Sequence, residues 1–89
     1  MNRCPFQVGS IVISLRGRDA GRSFVGMSQI SEDFVFIADG RTHRVERLKM
    51  KRKKHLTGTG REVPGFENRL REGKPVENFE VRAWLQEEE

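Results

Sequence analysis

A short polar segment bounded by two glycines, Gly17-Arg18-Asp19-Ala20-Gly21, most constrains how this 89-residue chain can fold. A run rich in β-branched residues, 10–16, precedes it, and a second run that begins as a strand, 22–30, follows it. Two apolar runs separated by a short, glycine-bounded polar segment are typical of a β-hairpin. Glycine takes positive φ without steric penalty, so a tight turn can begin and end on it. The sequence therefore predicts two paired strands.

The same turn carries candidate ligands for an anion. Arg16, Arg18 and Arg22 would place three guanidinium groups around one turn, and guanidinium groups bind phosphate through paired hydrogen bonds. The alternative is an ordinary solvated hairpin in which Asp19 makes a weak surface contact with Arg18 or Arg22. Spacing alone favours this alternative, because most surface charges have no further role.

Three more strands are predicted downstream of the hairpin. Phe34–Ala38 is continuously apolar, as expected for a strand covered on both faces. Asp39-Gly40 favours a type I′ hairpin turn that leads into a fourth strand at 41–45. One turn of tight helix is predicted at 46–50 and a short fifth strand near 52–56. Five short strands with tight turns suggest a small closed barrel, because closure removes exposed edges.

The pattern changes after residue 57. Residues 58–63 are interpreted as a linker, since the glycines at 58 and 60 lack the spacing and context of a dinucleotide-binding loop. A helix is predicted between Pro64 and Gly73, and a second one begins with Asn78 as its N-cap. One face of the second helix is apolar and should dock on the barrel; its residues are Val81, Trp84 and Leu85.

The predicted organisation therefore has four parts. They are an N-terminal arm at 1–7, a barrel at 8–57, a linker at 58–63 and a helical tail at 64–89. Phe24, Phe34 and Phe36 are assigned to the core, which leaves no obvious platform of aromatic rings for stacking bases.

Positive charge is concentrated in one short stretch. Residues 41–55 hold eight of the 17 Lys and Arg residues but one of the 13 Asp and Glu residues. Such a stretch is the electrostatic pattern of a polyanion binder. Its densest part, 49–55, could also be a lysine-rich edge strand that resists aggregation, or a chance match to a nuclear-localisation signal. Cations at this density repel one another unless a polyanion is near, which favours nucleic-acid binding.

Other functional classes have little support in the sequence. No nucleophile elbow or other catalytic signature is present, so the protein is expected not to be an enzyme. Cys4, His43 and His55 lack the spacing of a zinc site, and we expect no metal or other cofactor. The longest apolar run, Phe34–Ala38, is too short for a membrane span or a signal-peptide core. With a single cysteine, the chain is expected in the cytoplasm, without a membrane partner or a small-molecule substrate.

Residues 8–56 carry a resemblance to a known family. Val8 to Ser14, the Gly17–Gly21 turn and Phe24-Val25 resemble a KOW motif, with Ser14 at a position that is usually apolar. The likeness continues through residues 33–37, Asp39-Gly40 and 52–56. More specifically, it is similar to the KOW proteins related to the large-subunit ribosomal protein of the fourteen-e type and their small bacterial relatives. The resemblance implies a mainly β, five-stranded SH3-like barrel with a short helical tail, acting in RNA binding.

We therefore expect an RNA-binding protein that recognises structured RNA, ribosomal or ribosome-associated, by phosphate and shape contacts. The alternative is an SH3-like protein-interaction module in transcription or translation complexes, which an exposed apolar groove would favour. The structural turn residues are expected to be Gly17, Asp19, Ala20, Gly21, Asp39 and Gly40. The residues expected to contact RNA are Arg16, Arg18, Arg22, Arg44, Lys49, Lys51, Arg52, Lys53, Lys54 and His55.

Overall fold

The computed structural model describes residues 7–86, so the predicted arm, apart from Gln7, lies outside the described residues. Within 7–86 the chain forms five strands and two α-helices, namely β1 (Ser10–Ser14), β2 (Ser23–Gln29), β3 (Phe34–Ala38), β4 (Lys49–Arg52), β5 (Leu56–Glu62), α1 (Phe66–Arg71) and α2 (Asn78–Gln86). A 3₁₀ turn, Lys53–His55, joins β4 to β5. The strands form one antiparallel sheet in the order β4-β3-β2-β1-β5. The predicted mainly β fold with a helical C-terminal segment is confirmed.

The sheet is strongly curved. Its two edge strands, β4 and β5, are joined by only the three residues Lys53–His55. In a flat sheet, five strands would place the two edges about 19 Å apart. A 3₁₀ turn of three residues advances only about 6 Å. The sheet must therefore curl until the end of β4 approaches the start of β5.

Apolar side chains cover both faces of the sheet. The inner face carries a buried cluster, consisting of Val12, Phe24, Val35, Ile37 and Leu56. The opposite face, here called the helix face, packs against both helices in a second buried cluster, consisting of Ile11, Val25, Val63, Phe66, Val81 and Leu85. Adjacent residues of β1, Ile11 and Val12, point into different clusters, as the alternation of side chains along a strand requires.

The glycine-bounded turn between β1 and β2 is confirmed. Gly17 and Gly21 both have positive φ, 87° and 86°, and Val12 pairs with Phe24 across the hairpin. A Cβ atom at Gly21 would meet no atom within 4 Å. The backbone conformation alone therefore accounts for glycine at this position.

The predicted type I′ turn at Asp39-Gly40 and the predicted strand at 41–45 are wrong, although β3 does pair antiparallel with the fourth strand. Gly40 has a φ of 76°, but no residue other than glycine has positive φ within 7–86, so the turn is not type I′. Instead, Asp39 Oδ1 accepts hydrogen bonds from the backbone N–H groups of Arg41 (2.9 Å) and His43 (2.8 Å). Because its amides are used in this way, the segment 41–45 forms a loop rather than a strand. The fourth strand begins at Lys49.

Two neighbouring predictions also need correction. Residues 46–50 are not helical; the tight helical turn is Lys53–His55. The predicted linker at 58–63 belongs almost entirely to β5, which pairs with β1 and is further fixed by a hydrogen bond from Thr59 Oγ1 to Ile11 O (2.8 Å). The glycines that suggested a linker lie instead in an edge strand whose register shifts where it crosses β1. Glycine inside a strand is typical of such an irregularity.

Both predicted helices are present and pack on the helix face. Trp84 lies against the buried cluster, with its ring 6.0 Å from that of Phe66, which confirms the predicted docking. The predicted N-cap role of Asn78 is wrong, because its Oδ1 accepts from Val45 N–H (2.8 Å) and so anchors the 39–48 loop. The N–H of Glu77 donates to the Glu80 carboxylate, which also pairs with Arg69 of α1.

Candidate nucleic-acid interface

A buried ion pair closes the β1–β2 turn. Asp19 is only 9% exposed, and its Oδ1 lies 3.1 Å from Lys51 Nζ of β4 and 3.1 Å from the Ser14 hydroxyl, which donates to it. Lys51 also donates to Arg16 O (3.0 Å). Asp19 therefore does not make the weak surface contact with Arg18 or Arg22 that the alternative predicted. It links the turn to the edge strand β4 through Lys51. Ser14, polar where the motif is usually apolar, is 1% exposed and forms part of this link.

The net effect of these contacts is to lower the pKa of Asp19. Burial alone would raise the pKa of this carboxyl, but the hydrogen bonds from Lys51 and Ser14 and the charge of Lys51 outweigh burial. A depressed pKa in the folded state means that ionised Asp19 stabilises the fold at pH values above 3.8, the ordinary pKa of an aspartate side chain. That contribution is lost as the pH falls through the lower folded pKa.

We expect Asp19→Asn to lower the free energy of unfolding at pH 7 by about 1–3 kcal/mol, because the largely buried Lys51 ammonium loses its counter-charge. The deficit relative to wild type should shrink as the pH falls below 3.8, where wild-type Asp19 also becomes protonated. Urea unfolding of both proteins between pH 3 and 7 measures this difference in the free energy of unfolding. Asp33→Asn, at an exposed turn position, is the matched control. A constant deficit across this pH range would contradict the ion pair.

Positive side chains lie near His55, whose backbone O accepts a hydrogen bond from Leu15 N–H just before the β1–β2 turn (2.8 Å). Burial lowers the pKa of this imidazole, and the charges of four neighbouring residues lower it further; they are Arg16, Lys54, Lys51 and Arg52. These residues come from the β1–β2 turn, from β4 and from the 3₁₀ turn, and together with His55 we call them the His55 cluster. Arg16, Arg52 and Lys54 are exposed, whereas the Lys51 ammonium is held by Asp19. The cluster therefore offers three exposed cations near one imidazole, and one of them, Arg52, also lies over the Phe34 ring.

The other predicted RNA-contacting residues lie elsewhere. Arg18 is exposed at the tip of the turn, and Lys49 is half-buried beside Ile37 on the inner face. Lys53 is half-buried in the 3₁₀ turn, where its backbone N–H donates to Asp33 O (2.8 Å). Arg44 is exposed in the 39–48 loop, where its charge acts on Glu46 rather than on His55. Arg22 lines a cavity together with residues of the 39–48 loop and of α2.

An aromatic surface on the helix face was missed by the sequence analysis. Phe24 is fully buried as predicted, but Phe34 and Phe36 are half-buried and project from the face opposite the inner cluster. Phe36 lies opposite Met50, which is 56% exposed, and Phe34 lies opposite Arg52, whose guanidinium is 5.0 Å from the ring centroid. The alternation of β4 could have indicated this, because Met50 and Arg52 share one face.

Comparison with known proteins adds no family to these observations. The chain matches no protein-family model, and no curated protein is significantly similar to it. Within residues 7–86, no three His, Cys, Asp or Glu side chains are grouped in a way that could hold a metal ion. In the same range, neither helix has the length and apolar character that crossing a bilayer requires.

Proposed function

We propose that this chain is a cytoplasmic, non-enzymatic RNA-binding protein of the KOW type, with its sheet closed as an SH3-like barrel. The observation that carries the proposal is the His55 cluster: Leu15 N–H donates to His55 O (2.8 Å) and Lys51 Nζ donates to Arg16 O (3.0 Å), which brings cations far apart in sequence close together. Like charges gathered in this way repel one another, and a bound polyanion relieves that repulsion. The curvature of the sheet and the resemblance of residues 8–56 to KOW proteins support the same interpretation.

Arg16, Arg52 and Lys54 are proposed to contact RNA phosphates. All three side chains are exposed, and their spread over the turn, β4 and the 3₁₀ turn suits a backbone with regularly spaced charges better than a single small anion. Phosphate contacts orient a protein on RNA without reading its sequence, so recognition would depend on RNA shape. Lys51 is proposed to position the turn rather than to contact RNA, since its ammonium is bound to Asp19 and Arg16 O.

The aromatic surface supports a second candidate function, a protein-interaction module. Phe34, Phe36 and Met50 form a partly exposed apolar area on one face of β3 and β4. Exposed apolar areas on small proteins often mark interaction sites. The His55 cluster favours RNA as the principal partner, because apolar docking by itself gives no role to its converging charges.

Crosslinking in living cells separates the two candidates. Ultraviolet crosslinking and sequencing of the attached RNA should recover structured RNA, with ribosomal RNA enriched over total cellular RNA. Arg16→Gln/Lys54→Gln should reduce the yield, whereas Phe36→Ser, in the aromatic surface of β3 and β4, should retain it. A background yield of RNA from the wild-type protein, together with a protein partner that depends on Phe36, would overturn the proposal in favour of the interaction module.

A further inference from the structure

Three arginines from distant parts of the chain line one cavity. Arg22 follows the β1–β2 turn, Arg41 lies in the 39–48 loop, and Arg82 belongs to α2. The cavity measures about 470 Å³, and its wall is completed by Gly21, Ser23, Asp39 and Leu85. We propose that this arginine pocket is a phosphate-binding subsite through which α2 takes part in RNA binding, an inference that rests on the proposed function for the identity of its ligand.

Among residues 7–86, the wall of the pocket has more positive than negative side chains. Within residues 7–86, none of the three arginines forms an ion pair with a carboxylate. Among the described residues of the wall, Asp39 is the acidic one, and its Oδ1 accepts hydrogen bonds from the backbone N–H groups of Arg41 and His43. Three arginines thus line the pocket together with one carboxylate that already accepts two hydrogen bonds, which makes the pocket suited to a second anion.

The packing of α2 orients Arg82. Its Nη1 donates to Gly40 O (2.7 Å), and a Cβ atom at Gly40 would lie 3.0 Å from Arg82 Cγ and 2.6 Å from Asn78 O. Gly40 therefore allows α2 to approach the loop closely enough to bring this guanidinium to the pocket. A guanidinium held through one N–H keeps its remaining donors for a ligand, and its position costs little further entropy.

The chemistry of the wall indicates phosphate rather than a base. Guanidinium groups form paired, charge-assisted hydrogen bonds with phosphate oxygens, and the Ser23 hydroxyl adds a further donor. No aromatic side chain is part of the described wall, so the pocket offers no ring on which a base could stack. Its volume is within the range of small-ligand sites and exceeds the need of a single phosphate group. Two consecutive phosphates of an RNA backbone, or a free diphosphate, would fit this description.

Inorganic pyrophosphate is the probe that tests the pocket independently of RNA. Titration followed by the Nε–Hε resonances of arginine in NMR spectra should shift the signals of Arg22, Arg41 and Arg82. Arg22→Gln/Arg41→Gln replaces two exposed side chains and should raise the pyrophosphate Kd at least about tenfold. Arg71→Gln/Lys74→Gln, with the same loss of charge at the end of α1, is the matched control. Backbone resonances of the inner cluster report whether each variant is folded.

The outcomes distinguish failure of the pocket from failure of the proposed function. If pyrophosphate does not shift the three arginine signals, the phosphate subsite is overturned, whatever the protein does with RNA. If pyrophosphate binds there while RNA affinity is the same in wild type and Arg22→Gln/Arg41→Gln, the pocket serves a free phosphate ligand and its role in RNA binding is overturned. We expect pyrophosphate to compete with a base-paired RNA hairpin, and the double variant to weaken binding of both.

Discussion

Deleting residues 76–89 is expected to abolish cooperative folding, because α2 supplies part of the core on the helix face. Val81 and Leu85 are buried there, and burial of such side chains contributes about 1.5–3 kcal/mol each. The deletion would also expose Ile11 and Val25, which these residues cover. A domain of this size has a total stability of about 5–13 kcal/mol, so the loss is a large fraction of it.

Urea unfolding followed by circular dichroism, together with the dispersion of chemical shifts in NMR spectra, checks this expectation. Deletion of 87–89 is the control, since it removes three glutamates and leaves α2 in place. The control should unfold cooperatively with a midpoint close to that of wild type. A cooperative transition at the wild-type midpoint after deletion of 76–89 would show that the sheet forms a stable core without α2.

Local sequence signals were sufficient for the first half of the fold. The hairpin of β1 and β2 follows from β-branched runs around a glycine-bounded turn, and β3 follows from a continuous apolar run. The apolar face of α2 was equally clear, because Val81, Trp84 and Leu85 recur at helical spacing. In each case the residues that determine the structure are neighbours in sequence.

The second half depends on contacts between distant residues, which local patterns do not reveal. Asp39-Gly40 has the composition of a type I′ turn, but the Asp39 carboxylate takes the amides that a following strand would need. Asn78, 33 residues after Val45, then accepts a hydrogen bond from Val45 N–H and anchors the loop. The glycines of β5 resemble a linker until the pairing with β1 is known.

The candidate site also depends on contacts between residues that are distant in sequence. The run 49–55 was recognisable as a basic segment, but its residues have different roles. Lys51 is turned toward Asp19 and fastens the turn, whereas Arg52 and Lys54 face solvent beside His55. The alternation of side chains along β4 predicts that Lys51 and Arg52 point to opposite faces, but the contact between Lys51 and Asp19 depends on the curvature of the sheet. Arg82, on an acidic tail, carried no sequence signal at all.

Replacing two cations of the His55 cluster should change how RNA affinity depends on salt. Arg16 and Lys54 are both exposed, and neither side chain is part of the Asp19–Lys51 pair, so Arg16→Gln/Lys54→Gln removes charge without disturbing that pair. Each phosphate contact contributes a slope of about 0.7–0.9 in the dependence of log K on log salt, through release of counterions. If each side chain makes one contact, the double variant should lose about 1.4–1.8 of the slope.

That difference corresponds to binding about 25- to 60-fold weaker than wild type at 0.1 M salt, if the two proteins have equal affinity at 1 M. Fluorescence anisotropy with a labelled, base-paired RNA hairpin between 0.05 and 0.5 M salt, about a tenfold range, measures both slopes. Arg71→Gln/Lys74→Gln carries the same net charge as the double variant and should keep the wild-type slope, because Arg71 ends α1 and Lys74 lies three residues beyond it, outside the His55 cluster. Equal slopes for all three proteins would exclude the His55 cluster from the RNA interface. Equal losses in the two variants would mean that RNA responds to net charge, without a defined binding surface. A loss confined to Arg16→Gln/Lys54→Gln would show that the turn and the basic segment contact RNA on one face.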